Sequence, residues 1–182
     1  MDARTVVLRG RPVRLAEGDL LLVHSPGLLN AAIAAFNGGW SHVLTVCQVR
    51  GQLCALSVYV APDGVTAEPL EQFGSEAYSR LAVVRPRRPR DAAANVALRF
   101  AVARALRVDA AAGPGGAYER GPLEFVATAL HLPAATSNRY TCSELGATLA
   151  RAADPSTFPP GTSVSVRIDE LARAVGTVER IF

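Results

Sequence analysis

Short apolar runs separated by glycine, proline and charged residues divide the chain into strand-like and helix-like segments. The run LLLVHS, which follows Gly18 and Asp19, is continuous and predicts a buried strand. The runs WSHVLTVCQV and QLCALSVYV are separated only by Arg50 and Gly51, a spacing that predicts a β-hairpin. A turn at residues 62–64 introduces another short strand, and RLAVVRP predicts a fifth.

Helical patterns flank these strands. PGLLNAAIAAFNGG predicts a short helix that is opened by Pro26 and ended by Gly38 and Gly39. LEFVATALHL, SELGATLARAA and IDELARAV predict three more, the last after a strand end. The longest pattern, AAANVALRFAVARALRV, has apolar residues at three-to-four spacing, namely Val96, Phe100, Ala103 and Leu106. Helices around an antiparallel strand group give the α+β class.

Length and composition indicate a single domain over residues 1–182. The hydrophobic content is 49% and the mean hydropathy +0.19, which argues against a disordered chain. No apolar run approaches the roughly 20 residues of a membrane-spanning helix. The first residues carry an early acid and no apolar core segment, which argues against a secretory signal. A cytoplasmic location is therefore expected.

All 19 basic residues are arginine, and the formal net charge is +3. The densest cluster is RPRRPR at residues 85–90, which could bind an anionic polymer or surface. No aromatic residue is interleaved with these arginines, so the pattern favours a proline-stiffened connector, and nucleic acid is not an expected partner. The scattered His and Cys residues, and the lack of a phosphate-binding glycine loop, predict no metal or organic cofactor.

Cys142 is the strongest candidate for chemistry in the sequence. In TCSE, Thr141 as N-cap and Glu144 three residues later match a capping box, which places Cys142 at the first position of a helix. Free backbone N–H groups and the helix dipole stabilise a thiolate there, and the same N–H groups can stabilise an oxyanion. Cys47 and Cys54 lie in apolar strands, where a thiol acts as a small hydrophobic group.

A cysteine nucleophile needs a base, usually a histidine that the fold brings close. His42 lies early in a strand, whereas His24 ends a strand near a turn. His131 ends an apolar helix and is typical of a packing residue. The residues alone favour His42 only slightly over His24, and a lone Cys with a distant His is a weak pattern.

The combination of motifs is more specific. GDLLLV, SHVLTV, DGVTAEPLEQF, GAYERGPLEF and YTCSELGATLARA, in this order, resemble the circularly permuted branch of the NlpC/P60 papain-like superfamily, which includes bacterial YiiX-like amidases and their poxvirus relatives. The resemblance spans roughly residues 17–152 and leaves 153–182 as a C-terminal tail. SHV and YTCSEL are its most specific parts. In this family the histidine comes first, on a strand, and the cysteine follows at a helix start.

The resemblance implies a permuted papain-like fold, a small antiparallel sheet or partial barrel packed against helices, with Cys142 as nucleophile and His42 as general base. A third residue of the family, often glutamate on the strand after the histidine strand, orients the imidazole. That strand here has no acid before Asp63. Its alternation puts Ser57 and Tyr59 on one face, and Ser57 is the preferred orienting residue.

These residues predict a cysteine hydrolase or acyl-transfer enzyme that cleaves an amide or ester through an acyl-enzyme. Trp40, Tyr118 and Tyr140 are candidates for the substrate pocket, although a buried packing role is commoner for a tyrosine and Trp40 could equally be a core residue. The apolar GLLNAAIAAF segment favours a lipid-like acyl substrate over a peptide or another small molecule, and allows a peripheral membrane contact. The missing acid keeps open an alternative, an inactive papain-like module that binds a lipid or peptide.

Overall fold

The protein, represented by a computed structural model, belongs to the α+β class. The structure describes residues 3–59, 64–112, 141–158 and 166–182. Within these residues the strands are β1 (Ala3–Leu8), β2 (Arg11–Ala16), β3 (Leu20–His24), β4 (His42–Val49), β5 (Gln52–Tyr59), β6 (Gly64–Pro69), β7 (Arg80–Pro86) and β8 (Gly176–Arg180). The helices are α1 (Leu28–Phe36), α2 (Ala92–Ala112), α3 (Cys142–Ala153) and α4 (Ile168–Val175). No described helix is both long enough and apolar enough to cross a membrane.

Six strands form one antiparallel sheet in the order β6-β5-β4-β3-β7-β8, and β1 and β2 form a separate hairpin. The predicted strands β3 to β7 are confirmed. So is the β4–β5 hairpin, whose turn residues Arg50 and Gly51 have φ of 51° and 80°, as expected where two residues connect antiparallel strands. This topology establishes the α+β class, and the permuted papain-like arrangement stays a prediction.

The large sheet is buried on both faces. The β1–β2 hairpin covers one face, and the apolar cluster there includes Val6, Leu8, Val13, Leu15, Leu21, Val23, Leu44, Val46 and Phe73. Helices α2, α3 and α4 cover the other face through two further apolar clusters. Burial on both sides explains why β3 is an unbroken apolar run rather than an alternating one.

The two ends of the chain add strands that the hydrophobic pattern did not predict. Residues 3–16 form the covering hairpin, and β8 pairs with β7 at an edge of the sheet. Helix α4, in the segment that the motif set leaves as a tail, buries Ile168, Leu171, Ala172 and Val175. The tail therefore supplies part of the core as well as an edge strand.

The face that α2 presents to the core differs from the prediction. Val96 and Phe100 of the predicted stripe are 50% and 69% exposed, whereas Leu98, Val102 and Ala105 are buried. This alanine-rich helix carries two apolar stripes, so its spacing alone does not select one. Packing of Leu98 and Val102 with α3 selects the buried face, and Arg99 pairs through two nitrogens with the buried carboxylate of Glu17.

The arginines of residues 85–90 bond to other parts of the described structure. Arg85 pairs with the buried Asp19. The Asp19 carboxylate also accepts the Ala16 N–H, and this bond closes the turn before β3. Arg87 donates to Arg173 O at 2.6 Å, and Arg88 donates to Ser156 Oγ at 3.3 Å. Arg90 donates to Glu17 O at 3.3 Å. Such bonds fit a structural connector between the sheet and the helices.

Candidate active site

The helix start at Cys142 has the predicted capping box. Thr141 has extended φ and ψ, and its Oγ1 accepts the Glu144 N–H at 3.3 Å. In return the Glu144 carboxylate accepts the Thr141 N–H at 2.8 Å. Cys142 is therefore the first residue of α3, as the sequence predicts. The cap holds the thiol at a fixed place at the end of this helix.

Replacing Thr141 with alanine should lower the free energy of unfolding by about 1 kcal/mol, because the Glu144 N–H then loses its acceptor. Thr141→Ser retains the hydroxyl and should stay close to the wild type. Urea denaturation followed by circular dichroism measures both variants. Equal stability of the alanine and serine variants would show that the hydroxyl does not contribute through the cap.

The Cys142 thiol lies half-buried where the two helix-side apolar clusters meet. Burial raises the pKa of this thiol to about 11, even though the backbone N–H groups of Val43, Ser143 and Cys142 itself hydrogen-bond to the sulfur and act to lower it. The helix start was expected to stabilise a thiolate. The three N–H groups are present, but desolvation outweighs them, so the thiol is protonated at neutral pH.

His42 is the first residue of β4 and is half-buried. Its ring stacks on that of Tyr59, with centroids 4.5 Å apart and planes inclined by 30°. Burial lowers the pKa of His42 to about 4, so the imidazole is neutral at neutral pH. Its Nε2 is buried and has no hydrogen-bond partner among the described residues. Buried nitrogens of this kind are uncommon, and a neutral imidazole nitrogen can exchange a proton with a nearby donor.

The backbone of β4 connects the two groups. Val43, which donates its N–H to the Cys142 sulfur, directly follows His42. Tyr59, which stacks on His42, is also close enough to Cys142 for an electrostatic interaction. The Cys142 sulfur thus lies against the β4 backbone beside His42, and the His42 ring itself contacts Tyr59.

A half-buried carboxylate stands behind Tyr59. The Tyr59 hydroxyl hydrogen-bonds to Glu68 on β6, and burial raises the pKa of both groups. Gln72 also donates to the Glu68 carboxylate. Sequence reasoning looked for an acid on β5 and missed Glu68 on the next strand. The β5–β6 register pairs Ala55 with Glu68, and this places Glu68 on the same face of the sheet as Tyr59.

Ser57 makes a different contact from the one expected. Its hydroxyl donates to the Val43 carbonyl at 2.7 Å and is buried. The single hydroxyl proton is thereby used to join β5 to β4, and it is not directed at the imidazole. Of the two residues that alternation placed on one face, Tyr59 is the one whose side chain contacts the His42 ring.

The remaining candidates have separate positions. Trp40 is only 8% exposed and packs with Leu20 and Leu22 in the cluster that also contacts Cys142, so it supports the thiol from the core. Tyr118, Tyr140 and His131 lie outside the described residues. His24 ends β3 opposite Arg80, and its Nδ1 is buried without a partner in the part of the chain described.

No protein-family model and no curated protein sequence matches this chain. Among the described residues, no three His, Cys, Asp or Glu side chains are grouped so that they could hold a metal ion.

Proposed function

We propose that the protein is a cysteine hydrolase or acyl-transfer enzyme of the permuted papain-like NlpC/P60 type, with Cys142 as nucleophile and His42 as general base. One observation carries the proposal. The Cys142 sulfur sits at a capped helix start and accepts the N–H of Val43, the residue next to His42 on β4. Helix-start cysteine and strand-borne histidine, in this chain order, are what the family resemblance implies.

The electrostatics favour a mechanism that starts from neutral groups. The pKa of Cys142 is raised to about 11 and that of His42 is lowered to about 4, both by burial, so the resting pair is thiol and neutral imidazole. His42 would take the thiol proton as sulfur attacks the substrate carbonyl carbon. Collapse of the tetrahedral intermediate expels the amine or alcohol, which takes that proton from the imidazolium and leaves a thioester on Cys142.

The second half-reaction uses the same base. His42 would deprotonate water, or an acceptor hydroxyl or amine, as it attacks the thioester carbonyl. The carbon–sulfur bond then breaks, the imidazolium returns the proton to the Cys142 sulfur, and the acid or the transferred acyl product leaves. The Cys142 and Ser143 N–H groups at the helix start would then donate to the developing oxyanion.

Tyr59 and Glu68 take the place of the family's third residue in this proposal. The stacked Tyr59 ring fixes the plane of the His42 imidazole, and the Glu68 carboxylate fixes Tyr59 through its hydroxyl. This arrangement restricts the imidazole without a direct carboxylate–imidazole bond, which fits the low pKa of His42. An imidazolium formed during acyl transfer would gain less stabilisation than one paired directly with a carboxylate.

The same electrostatics favour one alternative, a papain-like module that binds a lipid or peptide without turnover. A buried thiol with a pKa of about 11 is a poor nucleophile unless a base removes its proton during attack. The two functions differ in whether an acyl group is ever transferred to Cys142.

Acyl transfer can be tested with p-nitrophenyl esters of short and long fatty acids, followed by mass spectrometry of the cysteine-containing peptides. Wild type should carry the acyl group on Cys142, with faster acylation by the long chain if the substrate is lipid-like. Cys142→Ala should abolish the modification, and Cys54→Ala, which removes another half-buried thiol, should leave it intact. His42→Gln should slow acylation by about 100-fold or more, the usual contribution of a general base.

Acylation that is equal in wild type and His42→Gln would contradict the role of His42. Binding of the esters without any thioester on Cys142 would favour the inactive module.

A further inference from the structure

Helix α1 presents an apolar surface to solvent. Leu28, Leu29 and Phe36 are 93%, 70% and 62% exposed, and Ala34 is the helix's one buried residue. The sequence has no charged residue from position 25 to position 41. Helix α1 contributes no residue to the three buried apolar clusters of the described structure. Large exposed side chains grouped in this way mark an interaction surface.

The exposed side of the helix has no side-chain hydrogen-bonding group. At 100° per residue, Leu28, Leu29, Phe36 and the intervening alanines cover one broad side of the helix. The two asparagines of this segment hydrogen-bond to the adjacent backbone. Asn30 in α1 donates to Pro26 O, and the C-cap residue Asn37 donates to Ile33 O. Protein interfaces carry about one hydrogen bond per 100–200 Å², which this side of the helix does not offer. The acyl region of a lipid bilayer requires none.

The base of α1 is cationic. Arg80 lies against Gly39, with Nη1 only 3.2 Å from the position a Cβ would take there. The C-cap, Asn37, accepts the N–H of Ile168 at the start of α4, where two arginines bind one aspartate. Asp169 packs even closer, with its Cβ 2.7 Å from the position of a Cβ on Gly38, but Arg167 and Arg173 both bind its carboxylate. With Arg80 and Glu170, these described side chains carry three guanidinium groups and two carboxylates.

We propose that α1 docks on an anionic lipid bilayer, with Leu28, Leu29 and Phe36 inserted among the acyl chains and Arg80 at the level of the phosphates. Nine residues of helix span about 14 Å, so α1 would lie in the interfacial layer of the bilayer rather than cross it. The apolar side chains supply the insertion and the arginine supplies the attraction to anionic headgroups.

Docking by α1 would also orient the protein. Val23 pairs with His42, and Arg80 pairs with His24, so α1 emerges at the same end of the sheet as the candidate active site. The arginine connector at residues 85–90 follows the opposite end of β7. A purely electrostatic contact through that connector would therefore turn α1 away from the lipid. The inference goes beyond the proposed function and holds whether or not Cys142 is catalytic.

Co-sedimentation with vesicles tests the proposal. Wild type should bind vesicles of phosphatidylcholine and phosphatidylglycerol in equal proportion, and binding should persist at high salt. Phe36→Gln should weaken partitioning by about 10-fold or more, as expected when a buried aromatic side chain is lost. Phe100→Gln is the matched control, because Phe100 is 69% exposed on α2, and it should bind like wild type. Arg80→Gln should weaken binding to the mixed vesicles but not to pure phosphatidylcholine.

Leu28→Gln provides a second loss of apolar surface at a side chain that is 93% exposed, so its effect is independent of folding. Three results would overturn the proposal. The first is that wild type sediments with neither kind of vesicle. The second is that Phe36→Gln and Phe100→Gln weaken vesicle binding equally. The third is that the double variant Arg87→Gln/Arg88→Gln loses binding whereas Phe36→Gln retains it. A wild-type dimer in light scattering that Phe36→Gln converts to monomer would assign the surface to a second copy instead.

Discussion

Alkylation of Cys142 by iodoacetamide should be slow at neutral pH and should accelerate about tenfold per pH unit until the pH approaches 11. The thiolate is the reacting species, and burial raises the pKa of Cys142 to about 11. At pH 7 only about one molecule in 10,000 would carry the thiolate, against a few per cent for a solvated cysteine of pKa about 8.5. The native thiol should therefore react roughly a few hundredfold more slowly.

The measurement counts alkylated peptides by mass spectrometry at each pH. The urea-denatured chain supplies the reference, because unfolding exposes Cys142 and restores an ordinary thiol pKa. His42→Gln should follow the wild-type profile, since a neutral imidazole does not generate the thiolate. A reactivity plateau below pH 7 that disappears in His42→Gln would contradict the neutral pair and would instead reveal a thiolate–imidazolium pair.

Local patterns predicted much of the fold and the position of the thiol. The Thr141–Glu144 cap and the two-residue turn at Arg50 and Gly51 involve only sequence neighbours, so short motifs suffice to define them. Strand β3 is central and buried on both faces, which gives a clear apolar run. By contrast, arginines interrupt β1, β2 and β8, which lie at the periphery where one side of each strand meets solvent.

The parts of the site that escaped prediction depend on tertiary contacts. Glu68 joins the site only through the β5–β6 register and the reach of the Tyr59 hydroxyl, and no spacing in the sequence records this. Likewise, a helix start lowers the pKa of a water-exposed thiol. Here the packing of α3 on the sheet buries Cys142, and this burial raises the pKa of the thiol instead. Motifs located the candidate groups, whereas burial determined their charge.

Acidification from pH 7 to below pH 4 should destabilise the protein by about 3 kcal/mol through His42 alone. The unfolded histidine has a pKa of 6.5, and burial lowers the pKa of the folded one to about 4. Between these values the unfolded state binds more protons, so stability contributed by neutral His42 is present above pH 6.5 and is lost as the pH falls toward 4. At about 1.36 kcal/mol per pKa unit, that difference gives the stated magnitude.

The variant His42→Gln isolates this effect, because it cannot gain this proton and the two proteins share all their other titratable groups. Urea denaturation at several pH values should show a steeper loss of stability in wild type between pH 6.5 and 4, whatever constant offset the lost Tyr59 stacking adds. Parallel pH profiles would mean that His42 takes up a proton as readily in the folded chain as in the unfolded one. Its ring would then be solvated, and the imidazole would be charged, not neutral, at mildly acidic pH.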